Sequence, residues 1–79
     1  MKLPTVLITV LDDELNEVQR HVIFLEREGK LLCCDTDAVD YYGEYRGWVP
    51  WIHPKLEAWA EKNGGYGEWE NAEAICFAK

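Results

Sequence analysis

Residues capable of nucleophilic chemistry are few in this chain. Its 79 residues include three cysteines and two histidines but no serine, so a serine nucleophile is excluded. A cysteine nucleophile needs a nearby base, and only His21 and His53 could supply one. His21 stands within a strand pattern, and His53 directly precedes Pro54 at the start of a helix pattern. Both histidines thus have ordinary structural explanations, and we predict no catalytic residue.

The patterns typical of metal and cofactor sites are also missing from the sequence. Cys33, Cys34 and Cys76 lack the C-x-x-C or H-x-x-x-H spacing of a zinc site, and no phosphate-binding glycine loop occurs. Glu68 and Glu70 could resemble the carboxylate pair of a glycosidase, but alternation along a strand commonly places two carboxylates on one solvated face. We therefore predict neither metal nor cofactor, and we interpret the cysteines as reduced packing thiols.

Acidic residues are the most unusual feature of the composition. Fifteen acidic residues against eight basic ones give a formal net charge of −7. This charge repels phosphate backbones and anionic membrane surfaces, so we predict no direct binding to nucleic acid or membrane. The acids form three blocks that no Lys or Arg interrupts: Asp12, Asp13, Glu14 and Glu17; Asp35, Asp37, Asp40 and Glu44; and Glu68, Glu70 and Glu73.

The N-terminal half, which must position the first two blocks, has the pattern of β-strands. Residues 5–11 are apolar and β-branched and predict a first strand, followed by a charged loop. Residues 18–27 and 30–34 predict a second and a third strand. Glu28-Gly29 between them is suited to a tight hairpin turn.

Two helices are expected in the middle of the chain. Asp35, Thr36 and Asp37 are N-cap candidates for a short helix that ends near Tyr42. The second helix begins at Pro54, carries Leu56 and Trp59 on its apolar face, and ends at Asn63-Gly64-Gly65 as a left-handed cap. Leu56 and Trp59 are therefore predicted to be core residues.

The order of these elements predicts an α+β fold. Residues 66–70 and 74–78 form an interrupted strand or a small hairpin, with a bulge or turn at 71–73. The order β-β-β-α-α-β then favours a small antiparallel sheet of about four strands with helix packed on one face. A chain this short is expected to be a single domain, residues 1–79, and a monomer. Without a membrane-length apolar run or a secreted disulfide framework, we expect it in the cytoplasm.

The second acidic block suggests a binding surface. If the block from Asp35 to Glu44 is helical, Asp37, Asp40, Tyr41 and Glu44 share a face, and no base lies between residues 35 and 45 to compensate the carboxylates. Like charges so spaced oppose a helix by roughly 0.2–0.5 kcal/mol per pair, a local conflict often found at functional surfaces. A solvated face is the alternative explanation. We predict a partner-binding surface of Asp35, Asp37, Asp40, Glu44, Tyr45, Glu68, Glu70 and Glu73.

Three segments resemble short uncharacterised phage and prophage proteins: YYGEYRGWVPWI at 41–52, HPKLEAWA at 53–60 and EWEN at 68–71. In size, acidity and lack of catalytic motifs, the whole chain also resembles the small anti-CRISPR inhibitors that phages use against bacterial DNA-surveillance complexes. That class shares no motif, so no functional residue is carried over from it. The resemblance implies a non-catalytic inhibitor that blocks the basic, DNA-binding surface of a CRISPR effector.

Two other classes of protein fit the same composition. A regulatory or antitoxin-like subunit would also bind a basic protein partner through its acids. A small cysteine-dependent enzyme is the third alternative. In the first two cases the partner presents a basic surface of a protein or nucleoprotein complex, and opposite charge would accelerate association roughly 10- to 1,000-fold at low salt.

Overall fold

Strands dominate the part of the chain that the structure describes. The computed structural model describes residues 3–44 and 46–78. In these ranges it has eight strands and one helix, which confirms a small α+β fold. The elements are β1 (Leu7–Leu11), β2 (Glu17–His21), β3 (Phe24–Arg27), β4 (Lys30–Cys33), β5 (Val39–Asp40), β6 (Trp51–Ile52), α1 (Pro54–Lys62), β7 (Tyr66–Asn71) and β8 (Ala74–Ala78).

Strand pairing is antiparallel throughout, but it is divided among three sheets. β1 and β2 form a two-stranded ribbon, β3-β4-β8-β7 form a four-stranded sheet, and β5 pairs only with β6. The expectation of one sheet of about four strands is therefore too simple. The first strand lies outside the four-stranded sheet, and each arm of the C-terminal hairpin is a strand of that sheet.

The expected second strand divides in two between Val22 and Ile23. The Val22 N–H donates to the Val6 carbonyl at 2.8 Å, which extends the ribbon by one bond. The next N–H, that of Ile23, donates instead to Asp35 Oδ2 at 3.0 Å. A side chain thus replaces a strand partner at this point, and the chain passes from the ribbon into the four-stranded sheet.

The prediction of a short helix that is capped by Asp35, Thr36 or Asp37 and ends near Tyr42 is wrong. The Asp35 carbonyl accepts hydrogen bonds from the N–H groups of Ala38 and Val39, both at 2.9 Å, which form a single turn. Val39 then pairs with Ile52 across β5 and β6. A strand pairing with residues far along the chain therefore prevails over the local capping signals, and the predicted order β-β-β-α-α-β contains one helix too many.

Helix α1 begins and ends as predicted. His53 Nδ1 accepts a hydrogen bond from the Lys55 N–H at 3.0 Å, and Pro54 occupies the first turn. At the other end Gly64 has a φ of +77°, and the Gly65 N–H donates to the Ala60 carbonyl at 2.9 Å. Within residues 3–44 and 46–78, no helix is long and apolar enough to cross a membrane.

The core lies between α1 and one face of the four-stranded sheet, and the inner face of the ribbon also contributes. Leu56 is fully buried, as predicted, whereas Trp59 is half-buried and packs against the core. The rings of Phe24, Trp59 and Phe77 contact one another with centroids 5.1–6.0 Å apart. The buried core cluster comprises Val6, Ile8, Val22, Phe24, Cys33, Ala38, Val39, Leu56 and Ile75.

The ribbon has one buried face and one exposed face. Ile8 points inward and is 2% exposed, whereas Leu7 and Leu11 point outward and are 46% and 61% exposed. Across the ribbon these two leucines pair with His21 and Glu17. The outward face therefore combines apolar and charged side chains.

Candidate functional site

An open groove of about 1000 Å³ contains the largest group of predicted site residues. Its walls come from β1, from the segment 34–42, from β6 and from the turn between β7 and β8. Its most buried lining residues are apolar, namely Leu32, Val39 and Ala74. We call it the acidic groove because four carboxylates line it: Asp37, Asp40, Glu70 and Glu73.

The structure brings together some of the predicted partner-binding residues and separates others. The four carboxylates of the acidic groove come from two sequence blocks that are distant in the chain. Glu44 and Glu68 are exposed but do not line the groove. Asp35 does not line it either, and Tyr45 lies outside the described residues.

Asp35 is a structural residue, and its assignment to a binding surface is corrected. Its side chain is only 1% exposed. Both carboxylate oxygens accept hydrogen bonds from Arg20 at 2.7 Å, and the N–H groups of Ile23 and Asp37 also donate to it at 3.0 Å. Because these donors occupy the buried carboxylate, it organises the fold and cannot reach a partner.

The same hydrogen bonds determine the ionisation of Asp35. Burial by itself raises the pKa of a carboxyl, because the charged form loses its hydration. The hydrogen bonds from Arg20 and from the N–H groups of Ile23 and Asp37, together with the charge of Arg20, outweigh that effect and hold the pKa of Asp35 below its usual value. Asp35 is therefore a buried, ionised counterion for Arg20.

The second acidic block is compensated by arginines, contrary to the expectation from sequence. Arg20 reaches Asp37 as well as Asp35, with Nη2 2.7 Å from Asp37 Oδ2. Arg46 Nη1 lies 3.2 Å from Asp40 Oδ2. Arg46 lies just after the block in sequence, whereas Arg20 lies 15 residues before Asp35 and could not be recognised from the neighbouring residues. Three of the four carboxylates of this block, Asp35, Asp37 and Asp40, are thus stabilised by ion pairs with arginine.

The carboxylates of the third acidic block that line the groove are less tightly paired than those of the second block. Glu70 Oε1 lies 3.7 Å from Lys30 Nζ, at the long limit of an ion pair between exposed side chains. Glu73 forms no ion pair with any described residue, although its N–H donates to Asn71 Oδ1 at 2.8 Å within the turn. Glu73 is therefore the most available carboxylate of the acidic groove.

Two tyrosines stand beside these carboxylates. Tyr41 and Tyr42 are 40% and 63% exposed, and their rings meet edge to face with centroids 5.4 Å apart. Tyr41 also packs against Trp69 at 5.2 Å. Both tyrosines are thus exposed, and Tyr41 is held in place by Trp69 and Tyr42, an arrangement expected of binding anchors.

Arg46 is a site residue that sequence reasoning missed. Its guanidinium carbon lies 3.7 Å from the centroid of the Trp51 ring, a close cation–π contact. The loop that carries it begins at Gly43, whose carbonyl accepts hydrogen bonds from the N–H groups of Arg46 and Trp48 at 2.8 and 2.9 Å. Trp48 is 71% exposed, whereas Trp51 is half-buried. A closely spaced Arg and Trp in a glycine-containing loop was the signal present in the sequence.

Two of the potential nucleophiles and bases, Cys33 and His53, have structural roles, whereas Cys34 is exposed and lines the acidic groove together with His53. Cys33 is fully buried, and burial raises the pKa of its thiol to about 11. His53 caps α1, and burial together with the charges of Lys55 and Arg46 lowers the pKa of its imidazole. Among residues 3–44 and 46–78, no group of three or more His, Cys, Asp and Glu side chains is placed to hold a metal ion.

Comparisons with protein-family models, with curated proteins and with solved structures found no significant match.

Proposed function

We propose that this chain is a non-catalytic inhibitor whose acidic groove occupies the DNA-binding surface of a bacterial CRISPR surveillance complex. The observation that carries the proposal is the convergence of carboxylates from two distant sequence blocks beside two exposed tyrosines. Carboxylates supply attraction to a basic surface, and tyrosines supply contact area at low entropic cost. The chain would thus present the negative charge of DNA on a protein surface.

The charge of the whole chain supports this function. A net charge of −7 on 79 residues steers the molecule toward a basic partner and away from nucleic acid. Surveillance complexes hold their heteroduplex in a positively charged channel, so an acidic protein competes for the same surface. The resemblance of the chain to anti-CRISPR proteins in size and acidity favours this partner among basic proteins.

The ion pairs within the groove narrow the proposed contact surface. Asp37 and Asp40 already have arginine partners at 2.7 and 3.2 Å, so their charges are partly neutralised. Glu73 is unpaired among the described residues, and the partner of Glu70 is 3.7 Å away. The turn between β7 and β8 is therefore the part of the groove that offers a basic partner the strongest new ion pairs.

A competition experiment tests the proposal. Purified surveillance complexes of several subtypes are mixed with fluorescently labelled target duplex, and the protein is titrated in. We expect displacement of the duplex from at least one complex. The displacement should weaken as salt rises, because exposed charges are largely screened beyond about 8 Å at physiological ionic strength. The groove variant Glu70→Lys with Glu73→Lys should lose at least tenfold in competing strength.

The matched control places the same charge change elsewhere. Glu57→Lys with Glu61→Lys alters two exposed carboxylates of α1 that do not line the groove, and each double variant moves the net charge from −7 to −3. Equal losses in the two variants would mean that overall charge, and not the groove, determines binding. Failure of the wild-type protein to bind any complex would reject the CRISPR partner, and capture of another basic protein would then support a regulatory or antitoxin-like subunit.

A further inference from the structure

The position of Arg46 indicates what the acidic groove recognises. We propose that Trp51 and Asp40 form a recognition site for an arginine side chain of the partner, and that Arg46 occupies this site in the free protein. This inference rests on the proposed function, because it names the side chain that a basic partner would insert.

The geometry of the site is that of guanidinium recognition. The guanidinium carbon of Arg46 is 3.7 Å from the centroid of the Trp51 ring, and Nη1 is 3.2 Å from Asp40 Oδ2. A planar guanidinium can stack on an aromatic ring while its edge pairs with a carboxylate, whereas an ammonium group is a compact and more strongly hydrated charge. The site is therefore expected to prefer arginine to lysine.

The groove has the charge and the space to accept such a side chain. Four carboxylates line it against two arginines, Arg27 and Arg46, so its lining is negative overall. The Arg46 side chain is 41% exposed, and its contacts with Trp51 and Asp40 can therefore be reached from solvent. The groove continues from this site to Glu70 and Glu73, which gives neighbouring basic residues of a partner further carboxylates.

Displacement of Arg46 replaces one guanidinium with another. An incoming guanidinium restores both the stacking on Trp51 and the ion pair with Asp40, so neither group is left without a partner. Arg46 belongs to an exposed loop and would move into water. While Arg46 fills the site, an arginine of the partner cannot enter it, so the apparent affinity is the intrinsic affinity multiplied by the fraction of molecules in which the site is empty. Removal of the Arg46 guanidinium should therefore raise the apparent affinity.

The test uses two peptide probes, hexa-arginine and hexa-lysine, and the full-length protein. Arg46→Gln removes the guanidinium, and Arg27→Gln is the matched control because it removes the same charge from the same groove without vacating Trp51. Binding is followed by isothermal titration and by the NMR signal of the Trp51 indole. We expect Arg46→Gln to raise affinity for hexa-arginine about 3- to 10-fold more than affinity for hexa-lysine. Arg27→Gln should change both affinities equally.

A second variant, Asp40→Asn, should change the preference for arginine over lysine in the opposite direction. Asp40→Asn removes the carboxylate charge but keeps an oxygen for the Gly43 N–H, which Asp40 Oδ1 accepts at 3.0 Å. This variant should lose the preference for arginine. The proposal is overturned if Arg46→Gln gains no preference for arginine, or if hexa-arginine leaves the Trp51 signal unmoved. Because these measurements involve no surveillance complex, they can succeed when the proposed CRISPR partner is rejected, and the reverse also holds.

Discussion

Arg20 and Asp35 form a two-point ion pair in which both hydrogen bonds measure 2.7 Å. Arg20 belongs to the ribbon, whereas Asp35 precedes the turn that leads into β5. The Asp35 side chain is 1% exposed and the Arg20 side chain 30% exposed, so the pair lies at the boundary between core and solvent. It connects the ribbon to the segment that lines the acidic groove.

Removing the buried carboxylate should destabilise the protein strongly. Asp35→Ala leaves the N–H groups of Ile23 and Asp37 without an acceptor, and we expect a loss of about 3 kcal/mol in the free energy of unfolding. Asp37→Ala is the control, because its side chain is 55% exposed and a surface ion pair contributes at most about 1 kcal/mol. Urea denaturation of both variants measures the difference. Equal effects would show that the burial of Asp35 is unimportant.

The Asp35 pair also predicts how stability depends on pH. The folded state holds the pKa of Asp35 below its usual value of 3.8. Its contribution is therefore complete above that value and is lost as pH falls through the lower pKa of the folded state. The difference in unfolding free energy between wild type and Asp35→Ala should be constant above about pH 5 and should shrink below about pH 4. A difference that stays constant down to pH 2 would contradict this assignment.

Elements with local signals were predictable from the sequence. The Glu28-Gly29 turn has φ values of +53° and +80°, the pair of positive angles that a type I′ hairpin requires. Helix α1 likewise depends on Pro54 and Gly64, which act on neighbouring residues. The division into three sheets was not predictable, because it depends on contacts such as Ile23 with Asp35 between residues that no short window contains.

Helix α1 should depend on two side chains for its packing. Leu56→Ala and Trp59→Ala should each lower the free energy of unfolding by about 3 kcal/mol, since large-to-small changes in a core remove contacts and leave a cavity. The loss expected for Trp59→Ala is near the lower limit for the truncation of a core tryptophan, because Trp59 is half-buried. Trp48→Ala is the aromatic control, because Trp48 is 71% exposed. Thermal melts that show all three variants equal to wild type would refute the packing of α1 on the sheet.

The loop that carries Arg46 should be sensitive to one of its two early glycines. A Cβ on Gly43 would lie 1.9 Å from the Val49 carbonyl oxygen, and its φ is +57°. Gly43→Ala should therefore rearrange the loop and release Arg46 from Trp51, which changes the NMR signal of the Trp51 indole. Gly47 has a φ of +78° but open space around it, so Gly47→Ala should cost only about 1 kcal/mol and leave that signal in place. Identical spectra for the two variants would contradict this account of the loop.

The three cysteines should react with iodoacetamide in a defined order. Cys34 is exposed and should be modified first. Cys76 is half-buried, and burial together with the carboxylate of Glu70 raises the pKa of its thiol, so it should react more slowly. Cys33 has no exposed surface and should react only on unfolding. Mass spectrometry of partially modified protein measures the order, and early modification of Cys33 would show that the core opens readily.

The candidate site was predictable only in part, for an electrostatic reason. Asp37, Asp40, Glu70 and Glu73 could be identified as acidic blocks, but their ion-pair partners could not. Asp35 belongs to the same block as Asp37, yet it is buried by contacts with Arg20 and Ile23. Sequence composition reveals how much charge a chain carries, whereas the fold determines which charges face solvent.

The two leucines on the outward face of the ribbon have a consequence for how the protein behaves in concentrated solution. Leu7 and Leu11 are exposed side chains of β1, and the edge of β1 that faces away from β2 pairs with no other strand among the described residues. An unpaired strand edge is the usual starting point for edge-to-edge association. At neutral pH the net charge of −7 keeps copies apart. Near the isoelectric point of about 4.6 that repulsion vanishes, just above the pH at which the Asp35 pair begins to fail. Mild acidification should therefore precipitate the folded protein before it unfolds.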